Sequence, residues 1–447
     1  MQQSQNRTDL LQDLITRAKK AGADAADALM VESTMFGATW RLGNLEDIER
    51  SETQDLGLRV MVGKQQAVVS TTDVAPKAFD SLVERVIAMA KVAPEDPYCG
   101  LADPALLAKT IADLELDDGS DPKADELVAR AQAAEEAALA VKGVTNSGGA
   151  GSSFGRAAIT LATSDGFAGH YGGSTHSVSC SVLAGTGTEM ERDYDYSTAR
   201  HFSDLEDPIK IGREAGEKAV RRLGARKVES CQVPIIYDPR VSGGLVGHLA
   251  GAISGASVAR GTSFLKDSLD TQLFAKGIRI TDDPLKKRGR GSKPFDGEGV
   301  RTEALTLIDD GRLTTWLLDT STGKQLGLPS NGRAARGTGG SPSPSTTNLT
   351  LEAGSLSPEE LMADITSGFY VTEMIGMGVN GVTGDYSRGA SGFWIENGEL
   401  TFPVSEITIA GNLKDMFANL TPASDLEFKA ATNAPTVRIE GMTLAGT

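Results

Sequence analysis

Apolar residues first recur at helical spacing. Leu10, Leu11, Leu14, Ile15 and Ala18 mark one face, and Gly22 follows as a stop. From Asp27 to Thr72 the pattern changes to that of strands. Leu56–Val62 and Gln66–Ser70 flank Gly63-Lys64-Gln65, a spacing that predicts a hairpin. Pro76 to Val92 returns to helical periodicity, with Phe79, Leu82, Val83, Val86 and Ile87 on one side. Pro94, Pro97, Gly100 and Pro104 then break the pattern.

A long helix is predicted from Asp121 or Pro122, with the stripe Leu127, Ala131, Ala134, Ala138 and Val141. Its alanines suit close packing on a sheet, and Glu126, Glu135 and Glu136 are assigned to the solvent side. Val178, Cys180 and Val182 alternate with serines, the period of a strand, and Asp165-Gly166 signals a turn. Asp207-Pro208 opens another helix that Gly224 closes. Further on, Val233–Tyr237 reads as a strand, and Asp238-Pro239 caps a Gly/Ala-rich helix reaching about Ala256. Ser330–Asn348 is a Gly/Ser/Pro-rich loop, and Ser357-Pro358-Glu359-Glu360 is a capping box. The expectation is an α+β, multidomain chain. A helix-flanked N-terminal sheet occupies 1–110, a middle α/β domain 111–228, and a strand-rich C-terminal domain 229–447. The length, 447 residues, agrees with three domains of roughly 150 residues each.

Composition narrows the function classes. With 60 acids against 44 bases, the formal net charge is −16, which speaks against wholesale binding to nucleic acid or an anionic membrane. No stretch approaches the roughly 20 apolar residues of a membrane span, and the polar first residues lack a signal-peptide core. Cys99, Cys180 and Cys231 are too few and too scattered for a disulfide framework. A cytoplasmic protein is expected. The 51 glycines and 5% aromatics point to many turns and strands.

The motifs with chemical meaning are few. His170, His176, His201 and His248 are the four histidines, and none precedes a glutamate, so no HExxH-type zinc helix exists in the chain. Gly151-Ser152-Ser153-Phe154-Gly155 matches the nucleophile-elbow pattern, but Ala157–Thr163 after it reads as strand rather than helix, so a Gly/Ser turn is expected. Gly376-Met377-Gly378-Val379-Asn380-Gly381 matches the dinucleotide fingerprint without the helix that site needs. Lys286-Lys287-Arg288-Gly289-Arg290 reads as a solvated basic loop, with contact to phosphate or an acidic partner as the other reading. His248 sits on the glycine-rich helix as a packed residue. Glycine costs about 1 kcal/mol there against alanine, an expense that close approach of another backbone would explain. Asp385, Tyr386, Ser387 and Arg388 either grip a peptide main chain or form a turn fixed by an Asp–Arg pair.

Several segments carry a family likeness. Gly384–Trp394, Glu396–Gly398 and Pro403–Met416 resemble the C-terminal signature of the TldD/PmbA family; Glu191–Tyr194, Ser263–Ser268 and Phe295–Thr302 resemble its TldE/PmbA-type members. In this family TldD-type subunits carry an H-E-x-x-x-H zinc motif and pair with TldE/PmbA-type subunits in a peptidase acting on unfolded or short peptides. The resemblance therefore implies a non-catalytic subunit, inactive alone, without its own cofactor. Its zinc would be held by a TldD-type partner, and its substrate would be a peptide added to an exposed strand edge. The zinc helix of the catalytic sister corresponds to the helix around Gly243–Ala259. Its motif positions fall on Val246, Gly247, His248, Gly251 and Ala252, which leaves a degenerate zinc-helix region and no catalytic or metal residues. An independent hydrolase with an atypical site and a homodimeric peptide-binding scaffold are the alternatives.

Overall fold

The computed structural model describes residues 2–446. Helix α1 (Gln2–Lys20) leads into β1 (Ala25–Arg41), β2 (Asn44–Val62) and β3 (Gln65–Thr71), followed by α2 (Phe79–Val92). Then come α3 (Ala124–Leu139), β4 (Val144–Thr163), β5 (Ala168–Ala184), β6 (Glu191–Ala199) and α4 (Pro208–Arg221). All six strands form one antiparallel sheet in the order β3-β2-β1-β4-β5-β6. The β1–β4 pairing therefore carries the N-terminal and middle units on a single sheet. The predicted hairpin is present, with Val62 opposite Gln65 around Gly63. No helix among the described residues is long and apolar enough to cross a membrane.

Alternation sorts the strand residues onto two faces. Ala26, Ala28, Met30, Leu56, Leu58 and Val60 pack under α1 and α2. Val178, Cys180 and Val182 pack under the alanine stripe of α3 and the small residues of α4. These helices approach so closely that a Cβ on Gly212 would lie 1.9 Å from the Ala134 carbonyl oxygen. Glu135 departs from the sequence expectation. It is 1% exposed and accepts hydrogen bonds from the backbone N–H groups of Leu42 (2.9 Å) and Gly43 (3.1 Å). That turn must satisfy its amides, and its nearest acceptor comes from a helix remote in sequence. Glu126 and Glu136 stay exposed. The segment Gly151–Gly155 is also corrected: it lies inside β4, paired on both sides, and is neither turn nor elbow.

The C-terminal part begins with β7 (Cys231–Tyr237) and α5 (Pro239–Ala252). The Gly/Ala-rich helix ends earlier than predicted, and Gly255–Ala259 forms a separate short helix. Strands β8 (Ser367–Ile375), β9 (Asp385–Glu396), β10 (Glu399–Asn412) and β11 (Val437–Ala445) complete a second large sheet. β7 runs parallel to β8, and β11 pairs with both β7 and β10, so these strands form a closed ring. Closure shortens the open edges of this sheet, which persist on the short strand Leu420–Pro422 paired with β11. The long free edge lies instead on β2, where Asn44–Asp55 have no strand partner beyond β1 among the described residues. The segment Ser330–Asn348 is the expected loop, pinned by a two-residue pairing of Ala334–Ala335 with Ser343–Pro344. The capping box at Ser357 and Glu360 is formed.

Two contacts lock the C-terminal part onto the sheet. Phe295 packs edge-on against Phe167 and Tyr171. Asp27 on β1 accepts from Arg59 of β2 (2.9 Å from Nε) and from Arg336 of the long loop (2.6 Å), all deeply buried. The loop then passes so close that a Cβ on Gly57 would lie 2.1 Å from the Thr338 carbonyl oxygen. Burial alone would push Asp27 up, but Arg336 and Arg59 outweigh it and hold the carboxyl below its ordinary range. That stability is present above the unfolded carboxyl's ordinary value and is lost as pH falls through the folded one. Asp27→Asn leaves two buried guanidiniums uncompensated and should cost about 3–5 kcal/mol, measured as a lowered urea midpoint at neutral pH.

Candidate functional site

The candidate site is built on α5. Asp238 caps the helix by accepting from the Arg240 N–H (2.9 Å), and Tyr370 on β8 donates to the same carboxylate (2.9 Å). Pro239 fills the first turn. Leu245, Val246, Leu249 and Ala252 enter the core and fix the rotation of the helix. Gly244, Gly247, His248 and Gly251 consequently face outward.

The expected close backbone approach is absent. A Cβ on Gly244, Gly247 or Gly251 would meet nothing within 4 Å; one on Gly243 would lie 3.5 Å from the Thr432 carbonyl oxygen. Gly247 and Gly251 floor a cleft of about 340 Å³, which His248, Ser257, Phe264, Met377 and Arg388 also line. Of the sequence-predicted positions, the structure brings Gly247, His248, Gly251, Ala252 and Arg388 together here. Val246 is excluded because it is 3% exposed and belongs to the core.

The Asp385–Arg388 segment is not a turn held by an Asp–Arg pair. It opens strand β9, with Asp385 opposite Asn412 and Arg388 opposite Ile409. Asp385 accepts from the Thr383 hydroxyl (2.6 Å) and the Asn412 amide (3.2 Å), which hold its carboxyl below the usual range. Tyr386 turns inward and meets the His248 ring edge-on at 5.9 Å. Ser387 is exposed, and its N–H donates to the Gly378 carbonyl (2.7 Å), which folds the glycine-rich 376–384 loop back onto β9. Arg388 donates to the Ile375 carbonyl (3.3 Å). Burial first, and then the Arg388 charge, lower the His248 proton affinity, so the ring is neutral at pH 7. Ile375, Met377 and Val382 stand exposed at the rim, Met377 at 90%.

Zinc does not fit this donor set. Zinc takes three or four ligands, and the cleft offers one imidazole beside a guanidinium, with no lining carboxylate or thiol. Among the described residues no group of three or more His, Cys, Asp or Glu side chains is placed to hold a metal. The other histidines belong to the middle unit, where His170 meets Thr160, His176 meets Asp118, and His201 meets the Glu115 carbonyl. Ser153 lies in mid-strand and makes no side-chain hydrogen bond among the described residues, so it lacks the general base that a nucleophilic serine needs.

Two further segments support the site. Arg240, at the start of α5, reaches Asp193 of β6 (2.7 Å) and lies over the Tyr194 ring; Arg222 joins Glu191 (3.2 Å) and Glu373 of β8 (2.5 Å). The Glu191–Tyr194 segment is thus an ionic clamp between the middle unit and α5. In Phe295–Thr302, buried Asp296 accepts from the N–H groups of Glu298, Val300 and Ala334, and Glu298 accepts from the Thr320 N–H. Burial, then the Asp296 charge, push Glu298 up to about 7. Sequence reading gave neither segment a structural role, because their partners come from elements distant along the chain.

The comparisons with known proteins agree with this architecture. Family models described as PmbA/TldA metallopeptidase domain 1, central domain and C-terminal domain match residues 26–90, 117–223 and 230–446. The chain belongs to the PmbA/TldD metallopeptidase family. It is 38% identical to Metalloprotease PmbA of Escherichia coli O157:H7, over 95% of this chain and 93% of that protein. The Metalloprotease PmbA homolog of Haemophilus influenzae is also 38% identical, over 96% and 94%. Among solved structures, a Bacteroides thetaiotaomicron protein named as a candidate modulator of DNA gyrase superposes with a TM-score of 0.90 at 27% identity, covering 98% of both chains. TldE from Thermococcus kodakarensis shares the fold, with a TM-score of 0.86 at 21% identity over 98% of this chain and 100% of that one.

Two outcomes test the physical account. Gly247→Ala and Gly251→Ala place methyl groups in open space on a helix, so each should raise stability by about 0.5–1 kcal/mol in urea denaturation. A folded carboxyl at about 7 binds its proton more tightly than an unfolded one near 4.5. The Glu298 contribution therefore favours folding at acid pH and is lost as pH rises toward and through about 7. Glu298→Gln should flatten the fall of the thermal midpoint across that window.

Proposed function

We propose that this chain is a TldE/PmbA-type, non-catalytic subunit that pairs with a zinc-bearing TldD-type chain in a peptidase acting on unfolded peptides. The observation that carries the reading is the outer face of α5. Where the resemblance places a zinc helix, Gly247, Gly251 and a neutral His248 floor an open cleft that holds no ligand set. The name metalloprotease, borne by the relatives, describes those proteins. In this chain hydrolysis requires a metal supplied by another.

The cleft suits peptide handling without cleavage. Glycines let a backbone approach the helix, and Arg388 offers a fixed cation at one wall. The exposed rim of Ile375, Met377 and Val382 is an apolar patch of the kind that marks a contact with another protein. The longest free edge for strand addition by a peptide is that of β2, while binding in the cleft relies on loops and side chains.

The test is metal analysis and reconstitution. The chain expressed alone in zinc-replete medium and desalted should carry no stoichiometric zinc and no peptidase activity. Adding it to a TldD-type chain should produce or raise hydrolysis of an unfolded peptide, and Gly247→Phe, which fills the cleft, should lower that gain while the fold persists. About one tightly held zinc per chain, or a partner whose activity is the same without this chain, would remove the reading.

A further inference from the structure

A second pocket, of about 360 Å³, lies at the seam between the middle and C-terminal parts and shares no residue with the α5 cleft. Its floor is the β4–β5 face, with Ala157, Tyr171 and Gly173. Its wall is the segment from Arg290 to Lys293, faced by Thr346 and Thr347. Three cations line it, Arg200, Arg290 and Lys293, and no carboxylate does.

The hydrogen bonds of these cations leave their charge uncompensated. Arg200 donates to neutral oxygens, the carbonyls of Ser174 (3.2 Å) and Arg290 (2.6 Å) among them. Arg290 donates to the Lys429 carbonyl (3.3 Å). The Lys293 ammonium makes no hydrogen bond, and none of the three forms an ion pair, among the described residues. Their neighbours behave differently: Lys287 pairs with Glu115, and Arg288 with Glu115 and Asp204. In a chain with an excess of acids, this pocket gathers three cations and no carboxylate.

Internal acids reach only Lys293 of the trio, and both are already engaged by other groups. Asp282 and Asp296 lie within electrostatic reach of Lys293. Asp282 is already held by Arg333 (2.6 Å) and by the Thr347 hydroxyl (2.8 Å), and Asp296 by three backbone N–H groups. Arg333 adds a like charge on that side. The Tyr171 hydroxyl, pushed up to about 12 mainly by burial, stays neutral. Space is reserved as well: a Cβ on Gly173 would lie 3.1 Å from Arg200 Nη1, and one on Gly291 2.1 Å from the Thr347 carbonyl oxygen. Like charges gathered in a half-buried pocket repel unless an anion joins them, and guanidinium and ammonium donors match oxyanions.

We infer that Arg200, Arg290 and Lys293 form an oxyanion-binding pocket that takes a carboxylate or phosphate group. The group is either the free terminus of a peptide or a free phosphate. The volume admits one such group and excludes a nucleic-acid duplex.

Calorimetric titration of the whole chain, in buffer without phosphate, sulfate or carboxylate, tests the assignment. The probes are inorganic phosphate and a short neutral peptide in free-acid and C-terminally amidated forms. The expected result is saturable phosphate binding, about tenfold weaker in Arg290→Gln and in Lys293→Gln and retained in Lys287→Gln. Competition by the free acid but not the amide identifies a peptide terminus as the source; phosphate binding without such competition identifies a free anion. No saturable binding of phosphate or free-acid peptide, or binding unaltered in both variants, overturns the pocket. If Arg290→Gln fails to fold, Lys293→Gln alone carries the comparison, because its ammonium holds no structural hydrogen bond. Zinc content and reconstitution judge the α5 cleft separately, so either conclusion can fail without the other.

Discussion

One carboxylate, Asp27, shared between the guanidiniums of Arg59 and Arg336, couples the N-terminal sheet to the loop that crosses it. A buried ion pair contributes little over an apolar substitute, but a buried charge stripped of its partner is costly. The arrangement therefore acts as a constraint on position more than as a source of stability. Arg336 can reach Asp27 only if the long loop lies flat on β2, and Gly57 is the residue that permits it. With the loop fixed, Ala334 presents its N–H to Asp296, and the 295–302 segment is set beneath the sheet. The seam that carries the cationic pocket depends on that same register.

The α5 cleft follows from a different constraint. Core residues on one side of the helix and the Asp238 and Arg240 contacts at its start leave no rotational freedom. Whatever occupies positions 244, 247, 248 and 251 must face outward. That face carries glycines and one neutral imidazole, a surface that leaves room for a neighbouring molecule. The glycines accept a cost in helix propensity that no packing contact returns, which is why the cleft reads as retained for contact with another molecule.

Much of this was legible in the sequence wherever the signal was local. The caps at Asp207, Asp238 and Ser357 and the hairpin at Gly63 appear where spacing and turn chemistry place them. The stripe of Leu127, Ala131, Ala134 and Ala138 packs as its periodicity requires. What escaped depended on partners distant along the chain. Glu135 is buried because a turn 92 residues earlier needs its oxygens. Gly151–Gly155 has the letters of an elbow but lies between two strands that hold it extended. The glycines of α5 suggested a close neighbour, and only the three-dimensional arrangement shows the space to be empty. The cationic trio was invisible for the same reason, since Arg200 lies 90 residues from Arg290 along the chain.

The closed C-terminal ring has a consequence for how the protein is made. Its first strand, β7, is joined on one side by β8 and on the other by β11, whose residues 437–445 also meet β10. A ribosome emits the strands in order, so β7 must wait with one side unpaired until more than two hundred further residues have emerged. Pairings of such long sequence separation form slowly and leave apolar surface exposed in the interval. The N-terminal sheet, complete by residue 199, can fold while synthesis continues. The last strand thus serves as the key of the ring, and the face that frames the cleft exists only after translation has delivered it.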